Sequence, residues 1–172
     1  MKTIGLTSSP IGHVQFCKNY PSECKTHQRP QSVVQIDENS WRDLVQINAH
    51  FNKSIEPVTD QDQYRTAEYW AYPGQRGDCE DYVLAKRKAL INRGWPASAL
   101  LITVVREPNG TGHAVLTVRT DKAEFILDNQ DPRILPWKRT VYQYVKRQSA
   151  RHAGRWDSIR DLRAVVVGSV NN

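Results

Sequence analysis

Long apolar stretches are missing from this 172-residue chain. A membrane-spanning helix needs about 20 consecutive apolar residues, whereas the longest apolar run near the C-terminus, residues 164–168, has only the length of a strand. We therefore expect a protein that is not embedded in a membrane. Internal repeats and low-complexity tracts are also missing, which excludes a repeat array. With 39% hydrophobic residues, the chain has enough apolar material for a single domain over residues 1–172.

Acidic residues are scarce in the last quarter of the chain. From residue 132 onward there are nine Lys or Arg residues and only two acids, Asp157 and Asp161, and this segment accounts for the net charge of +6. No zinc-finger spacing, helix-turn-helix pattern or aromatic RNA-binding motif accompanies the basic residues. We therefore predict no nucleic-acid partner and interpret the charge as a solvated basic face or a docking surface for an acidic partner. A nucleic-acid surface is the less favoured alternative.

Cysteine is rare as well, with three residues. Cys17 and Cys24 are close together in a polar segment without a Cys or His pair at zinc-site spacing, so we predict a local disulfide between them. A disulfide indicates an oxidising compartment, and hence a periplasmic or secreted protein. Residues 1–11 hold no apolar signal-peptide core, so this interpretation treats the chain as the mature part of an exported precursor. A cytosolic protein is the alternative.

Periodicity and end signals predict a chain of mixed helices and strands. The first 39 residues, rich in Pro, Ser, Asn and Gln, are predicted to form an extended arm over a core of residues 40–172. Three helices are predicted, the last of them basic, at residues 41–53 with Ser40 as N-cap, 79–93 between Asp78 and Gly94, and 138–151. Four strands are predicted, the first three as an antiparallel meander, at residues 99–106, 113–119, 124–128 and 161–170.

Three residues in this layout suit nucleophilic catalysis. Cys79 begins a helix, His113 begins a strand and Asp128 ends the next strand. A helix N-terminus stabilises a thiolate and lowers the thiol pKa, a nearby imidazole accepts the thiol proton, and a carboxylate orients the imidazole. The backbone N–H of the nucleophile would supply one oxyanion donor. Taken singly, the residues have simpler interpretations: an inert helix cysteine, a surface histidine and a turn aspartate.

Four short motifs make this arrangement more specific: Tyr69–Pro73, Gly77–Tyr82, Gly112–Leu116 and Phe125–Asn129. Together they resemble the bacterial transglutaminase-like cysteine proteinases, a LapG-like family, over about residues 40–160. The resemblance implies a papain-like or transglutaminase-like α+β fold, in which the nucleophile lies at the N-terminus of a helix packed on an antiparallel sheet.

The resemblance also implies an enzyme, a cysteine endopeptidase with Cys79, His113 and Asp128 as its catalytic triad. In such an enzyme a protein substrate is cut through a thioester acyl-enzyme. The remaining histidines match no family motif and are predicted to lie at the surface: His13, His27, His50 and His152.

The partners that the resemblance implies are a cell-surface adhesin as substrate and a membrane receptor, linked to cyclic-di-GMP signalling, as inhibitor. No organic cofactor is expected. The same triad is compatible with acyl transfer to an amine, as in a transglutaminase, or with an amidase acting on a non-protein amide. A non-enzymatic binding module with a basic face is a further alternative.

Three carboxylates beside the nucleophile oppose a reactive thiol. Asp78, Glu80 and Asp81 would raise the pKa of Cys79 unless something neutralises them. Their charge could be offset by helix capping through Asp78 and by an ion pair with Arg76. A bound Ca²⁺ is the alternative, because this ion prefers clustered carboxylate oxygens. The family resemblance favours calcium, with Asp78, Glu80 and Asp81 as ligands.

Overall fold

The computed structural model describes residues 1–30 and 33–165. Seven of the strands in this part of the chain form one antiparallel sheet, and the other two form a separate pair. The strands are β1 (Thr3–Thr7), β2 (Glu56–Pro57), β3 (Arg76–Gly77), β4 (Leu100–Arg106), β5 (Gly112–Arg119), β6 (Glu124–Leu127), β7 (Leu135–Pro136), β8 (Gln143–Gln148) and β9 (Trp156–Ile159). The helices are α1 (Ile11–Asn19), α2 (Glu38–Ser54), α3 (Asp60–Tyr64) and α4 (Cys79–Asn92). Short 3₁₀ turns cover Pro21–Cys24, Ala97–Ala99, Trp137–Arg139 and Leu162–Val165.

The large sheet has β4, from the middle of the sequence, as its central strand. The order is β1-β9-β8-β4-β5-β6-β7, and each neighbouring pair is antiparallel. The predicted meander is confirmed as β4, β5 and β6. β2 and β3 pair in parallel, separately from the large sheet.

Helix α4 lies in the core, in contact with α2 and with β5. Its start at Cys79 and its end before Gly94 agree with the sequence prediction, and Gly94 has the positive φ of 90° that favours glycine at a helix C-terminus. Leu84 and Leu90 are fully buried, and each contributes about 1.5–3 kcal/mol of hydrophobic stabilisation. The predicted α+β architecture, with Cys79 at the start of a helix on an antiparallel sheet, is confirmed.

Helix α2 begins earlier than predicted, at Glu38 rather than Trp41. Its N-cap is Asp37, whose carboxylate accepts a hydrogen bond from the Ser40 backbone N–H at 2.7 Å. The Ser40 hydroxyl in turn accepts from the Asp37 backbone N–H at 2.8 Å. Ser40 is therefore the third residue of a capping box and not the cap itself.

The first 39 residues are not an extended arm. Strand β1 pairs with β9 at the edge of the sheet, and α1 follows it directly. Phe16 of α1 is buried in the core, and Gly12 lets the helix approach so closely that a Cβ there would overlap the Trp70 ring. The polar composition of the segment conceals these few buried positions. The predicted disulfide between Cys17 and Cys24 is present.

The predicted basic helix over residues 138–151 is also wrong, because this segment contains the end of a 3₁₀ turn and then strand β8, with no α-helix. Val141 is 74% exposed whereas Tyr144 is 2% exposed, so the two do not share the buried helical face assigned to them. Strand β9 was not predicted. Of the predicted strand at 161–170, residues 162–165 form a 3₁₀ turn and residues 166–170 lie outside the described part of the chain.

Within the described residues 1–30 and 33–165, none of the helices has the length and apolar character that a membrane crossing requires.

Candidate active site

Cys79 opens onto a cleft of about 450 Å³ at the junction of α4 and the sheet. We call it the catalytic cleft, and its lining residues are Pro10, Ile11, Glu68, Trp70, Cys79, Glu80, Val104, Gly112, His113, Ala114 and Lys146. Cys79 is half-buried and is the free cysteine, since Cys17 and Cys24 are bonded to each other. The start of α4 and the start of β5 thus bring a thiol and an imidazole into one cavity.

His113 is bound to Asp128 across two neighbouring strands. β5 and β6 pair so that the beginning of β5 lies near the residue that follows β6, and the His113 Nε2 atom lies 2.8 Å from the Asp128 Oδ1 atom. Both side chains are buried, with 4% and 2% of their surface exposed. A buried carboxylate in this position fixes the orientation of the imidazole and stabilises its protonated form.

Three further residues hold Asp128 in place. The Tyr142 hydroxyl donates to Asp128 Oδ2 at 2.5 Å, and the Gln130 backbone N–H donates to Oδ1 at 3.0 Å. The Asn52 amide of α2 donates to the Asp128 backbone carbonyl at 2.8 Å. Burial raises the pKa of Asp128, but the hydrogen bonds and charge of His113, together with Tyr142 and Gln130, outweigh it and keep the pKa below its usual range. The carboxylate is therefore ionised at neutral pH.

The thiol of Cys79 is bound to an acid instead of being activated. Its S–H donates to Glu80 Oε2 at 3.1 Å. Burial, the Glu80 carboxylate and the Asp78 carboxylate raise the pKa of Cys79 well above its ordinary value, and the Ala114 backbone N–H opposes them only in part. Burial and the neighbouring acids outweigh the helix N-terminus, so the pKa of Cys79 is raised, contrary to the lowered pKa expected from the sequence.

The acids beside Cys79 belong to a three-carboxylate cluster. Oxygens of Asp60, Asp78 and Glu80 lie within 4.8 Å of one another. Burial and the Asp78 charge raise the pKa of Glu80 to about 9, and burial, together with the Asp60 charge, raises the pKa of Asp78 to about 6. Asp78 occupies the N-cap position of α4, yet its side chain makes no capping hydrogen bond.

Asp81, the third residue of the predicted ligand set, is not among the three residues whose carboxylates converge within 4.8 Å, although the charges of Asp78 and Asp60 act on it. Its Oδ1 atom accepts a hydrogen bond from the Ala71 backbone N–H at 2.9 Å. Asp60, which was not predicted, takes its place because α3 brings it next to Asp78. Asp60 is 18 residues before Asp78 in sequence, in a stretch with several acids. The sequence does not indicate which of these acids lies beside Asp78 in the fold.

The cluster fits a hard divalent cation. Its donors are carboxylate oxygens, the type that Ca²⁺ prefers, and two of its three residues are fully buried. Asp78 Oδ1 is buried and has no hydrogen-bond partner within the described residues. Carboxylates so close together, with raised pKa values, are an arrangement that a bound cation would stabilise.

The chain matches the family described as bacterial transglutaminase-like cysteine proteinase, BTLCP, over residues 3–164. It belongs to this family. The predicted family resemblance is therefore confirmed, and the protein is a cysteine peptidase. The alternative of a non-enzymatic binding module is not retained.

Solved structures of LapG from Legionella pneumophila are similar to this proteinase. The calcium-bound LapG has a TM-score of 0.60 and 26% identity, covering 74% of this chain and 75% of its own. The EGTA-treated form has a TM-score of 0.59 and 25% identity, covering 73% and 74%. A third LapG structure has a TM-score of 0.57 and 27% identity, covering 73% and 72%. A comparison with curated protein sequences gives no match.

One wall of the cleft in this proteinase depends on a histidine that was predicted at the surface. His13 of α1 is only 1% exposed and lies between Trp70 and Trp156, with ring centroids 5.4 and 5.3 Å away. The Trp156 indole N–H donates to His13 Nδ1 at 3.1 Å. Burial, with a smaller contribution from Arg87, lowers the pKa of His13 to about 4, so the ring is neutral at physiological pH.

Proposed function

We propose that this proteinase cleaves peptide bonds with a triad of Cys79, His113 and Asp128. The observation that carries the proposal is the buried His113–Asp128 hydrogen bond of 2.8 Å beside the free thiol in one cleft. The resemblance of the motifs around all three residues to those of the family supports the same roles.

The proposed reaction proceeds through a thioester. His113 takes the proton of Cys79, and the thiolate sulfur forms a bond to the substrate carbonyl carbon. The Cys79 backbone N–H, free at the start of α4, donates to the developing oxyanion. His113 then gives its proton to the leaving amine as the C–N bond breaks. A water molecule, deprotonated by His113, attacks the thioester and releases the new carboxylate and the Cys79 thiol.

We also propose that Asp60, Asp78 and Glu80 hold Ca²⁺. The geometry of the three carboxylates and the calcium-bound form of the similar LapG support this site. The ion supplies positive charge that offsets the carboxylates. With Glu80 bound to the ion, the carboxylate that accepts from the Cys79 thiol would be occupied, and the positive charge would lower the pKa of Cys79.

The pH dependence of alkylation by iodoacetamide tests both proposals, with modification of Cys79 followed by mass spectrometry. With Ca²⁺ we expect an apparent thiol pKa well below about 8.5, and we expect EGTA or the H113A variant to raise it. H50A is the matched control, since His50 is an exposed histidine on α2. A Cys79 pKa that is indifferent to His113 would refute the triad, and one that is indifferent to EGTA would refute the calcium role.

The acyl acceptor is tested separately with casein as protein substrate and cadaverine as competing amine. New fragments with free carboxyl ends support hydrolysis. Cadaverine adducts on uncut glutamine side chains would instead support the amine-transferring alternative, in which the same thioester passes to an amine.

We propose a periplasmic or secreted location and a protein substrate at the cell surface. The disulfide between Cys17 and Cys24 supports an oxidising compartment. A surface adhesin as substrate and a membrane receptor as inhibitor are proposed from the family resemblance. Fractionation of cells expressing the full-length gene product tests the location, and recovery in the cytosol with reduced Cys17 and Cys24 would contradict it.

A further inference from the structure

A second groove, of about 490 Å³, lies beside the edge strand β1. We call it the arginine groove. Gly5 and Leu6 of β1 form one side, and Arg147, Arg151 and Arg155 are among the residues of the other. Its position at the sheet edge separates it from the catalytic cleft, with which it shares no lining residue.

The arginine groove carries an excess of positive charge. Four arginines line it, since Arg119 joins the three already named, whereas Asp157 is its only lining acid within the described residues. Glu124 pairs with Arg147 at 2.5 Å and lies 3.9 Å from Arg119, which offsets one further charge. Arg151 and Arg155 are exposed at the mouth. A ligand with several carboxylates complements this arrangement.

Strand β1 offers backbone pairing next to these charges. It pairs with β9 on one side, and it has no strand on its other side in the described part of the chain. Ile4 and Leu6 expose 60% and 69% of their side chains there. An unpaired edge flanked by exposed apolar side chains accepts an extended peptide as an added strand. A free phosphate would use neither feature.

The edge of β1 continues into the wall of the catalytic cleft. Pro10 and Ile11, which line that cleft, follow Leu6 by four and five residues, a reach of about 13–18 Å for extended chain. On β8, Lys146 lines the cleft and the next residue, Arg147, lines the arginine groove, so the two sites lie on opposite faces of the sheet, since successive side chains of a strand alternate between its faces. A strand added along β1 would direct alternate side chains to the face of the groove, and its continuation beyond Thr7 would follow residues 8–11 to the cleft.

We propose that the arginine groove is an exosite for an acidic, extended segment of the protein substrate, which pairs with β1 and continues into the catalytic cleft. This inference rests on the proposed peptidase function. The exosite would select protein substrates that carry several Asp or Glu residues on one side of the scissile bond, a few positions away from it.

Binding of a labelled peptide tests the exosite in the C79A variant, which cannot cleave. The probe is a fluorescein-labelled 12-residue peptide of alternating Glu and Thr, compared by anisotropy with the same peptide carrying Gln for Glu. We expect the Glu peptide to bind at least about tenfold more tightly, and the R151E/R155E double variant to remove that preference. The R42E/K53E variant makes the same change of charge at exposed positions on α2 and should keep the preference.

Three results would overturn the exosite. One is equal binding of the Glu and Gln peptides, and another is an equal loss in R42E/K53E. The third is tighter binding of a single-stranded DNA 12-mer with the same dependence on Arg151 and Arg155, which would make the groove a nucleic-acid site. A Glu peptide with alternate N-methylated amides should bind at least about tenfold more weakly, because it cannot pair fully with β1; unchanged binding would refute strand addition.

The alkylation profile of the wild-type protein tests the peptidase function on its own, because it involves neither the peptide nor the groove. Loss of peptide preference with a normal Cys79 profile refutes the exosite alone, whereas a Cys79 that is unreactive in every condition refutes the proposed function.

Discussion

Tyr142 is a residue whose importance only the fold reveals. Its hydroxyl donates a hydrogen bond of 2.5 Å to the carboxylate of Asp128. The side chain is buried, with an exposed fraction of 8%. Y142F removes one hydrogen bond to a charged group, which is worth about 1.5–3 kcal/mol. We expect alkylation of Cys79 at pH 7 in Ca²⁺ to slow by about tenfold or more, measured as a second-order rate constant with iodoacetamide.

The control for that measurement is Y20F, because Tyr20 is an exposed tyrosine outside the catalytic cleft. Thermal unfolding of both variants identifies any loss of folded protein. An unchanged alkylation rate in folded Y142F would mean that Asp128 does not need this donor.

Asp60 is the residue that separates the observed carboxylate cluster from the predicted one. The D60N variant removes one charged ligand from the proposed calcium site, so we expect the dissociation constant for Ca²⁺ to rise at least about tenfold, measured by isothermal titration calorimetry. D62N is the matched control, since Asp62 lies on the same helix α3 but is exposed and outside the cluster. Equal affinities in the two variants would exclude Asp60 as a ligand.

The residues of the proposed triad could be singled out from the sequence because they have local signals, whereas the residues that sequence reasoning missed have none. Cys79 lies between an N-cap position and a helix with a marked end, and His113 and Asp128 lie at the ends of short, largely apolar strands bounded by turns. Asp60, Tyr142 and His13 reach the site from other elements, so their roles follow from tertiary packing that no local pattern encodes.

Helix α1 supplies Ile11 to the wall of the catalytic cleft, and a disulfide ties the helix to the 3₁₀ turn that follows it. The bond between Cys17 and Cys24 closes a loop of eight residues, for which chain entropy predicts about 2.5 kcal/mol of stabilisation. We therefore expect the C17S/C24S variant to lose about 2 kcal/mol in free energy of unfolding, measured with urea. The wild type in a reducing agent should lose the same amount, and no loss in either would show that the loop is held by packing alone.

The segments whose prediction failed share a physical cause. Val141, Tyr144 and Val145 fit a helical stripe in sequence, yet β8 finds backbone partners on both sides, in β4 and β9, and this pairing outweighs a weak local preference. In α1, a sequence with little hydrophobic pattern hides three buried residues, Gly12, His13 and Phe16. By contrast, α4 and the meander were predictable because caps and turns at both ends agree with their hydrophobic pattern.

Stability of the folded protein should depend on pH through the carboxylate cluster. The pKa values of Glu80 and Asp78 are raised in the folded chain, to about 9 and about 6, mainly by burial. A raised acid pKa stabilises the fold below the unfolded value near 4, and this contribution is lost as the pH rises through the folded pKa. In EGTA we therefore expect the free energy of unfolding to fall between pH 5 and pH 9.

Urea unfolding at pH 5, 7 and 9 measures this effect, and the expected fall is at least about 1.4 kcal/mol, which corresponds to a tenfold change in proton affinity. Saturating Ca²⁺ should reduce the fall, since the ion takes the place of the protons. A free energy that rises with pH in EGTA would show that the acids are compensated by other groups.

The pairing of β1 with β9 joins residues at opposite ends of the described chain, Thr3 with Ile159. Such contacts close the largest loops and are slow to form, so we expect this edge to assemble after the β4–β5 hairpin and α4. In a chain that emerges N-terminus first, β1 has no partner until β9 has followed. A partly synthesised chain therefore already contains Cys79, His113 and Asp128 but lacks the ordered edge that leads into its cleft, which delays the mature enzyme until its whole sheet is complete.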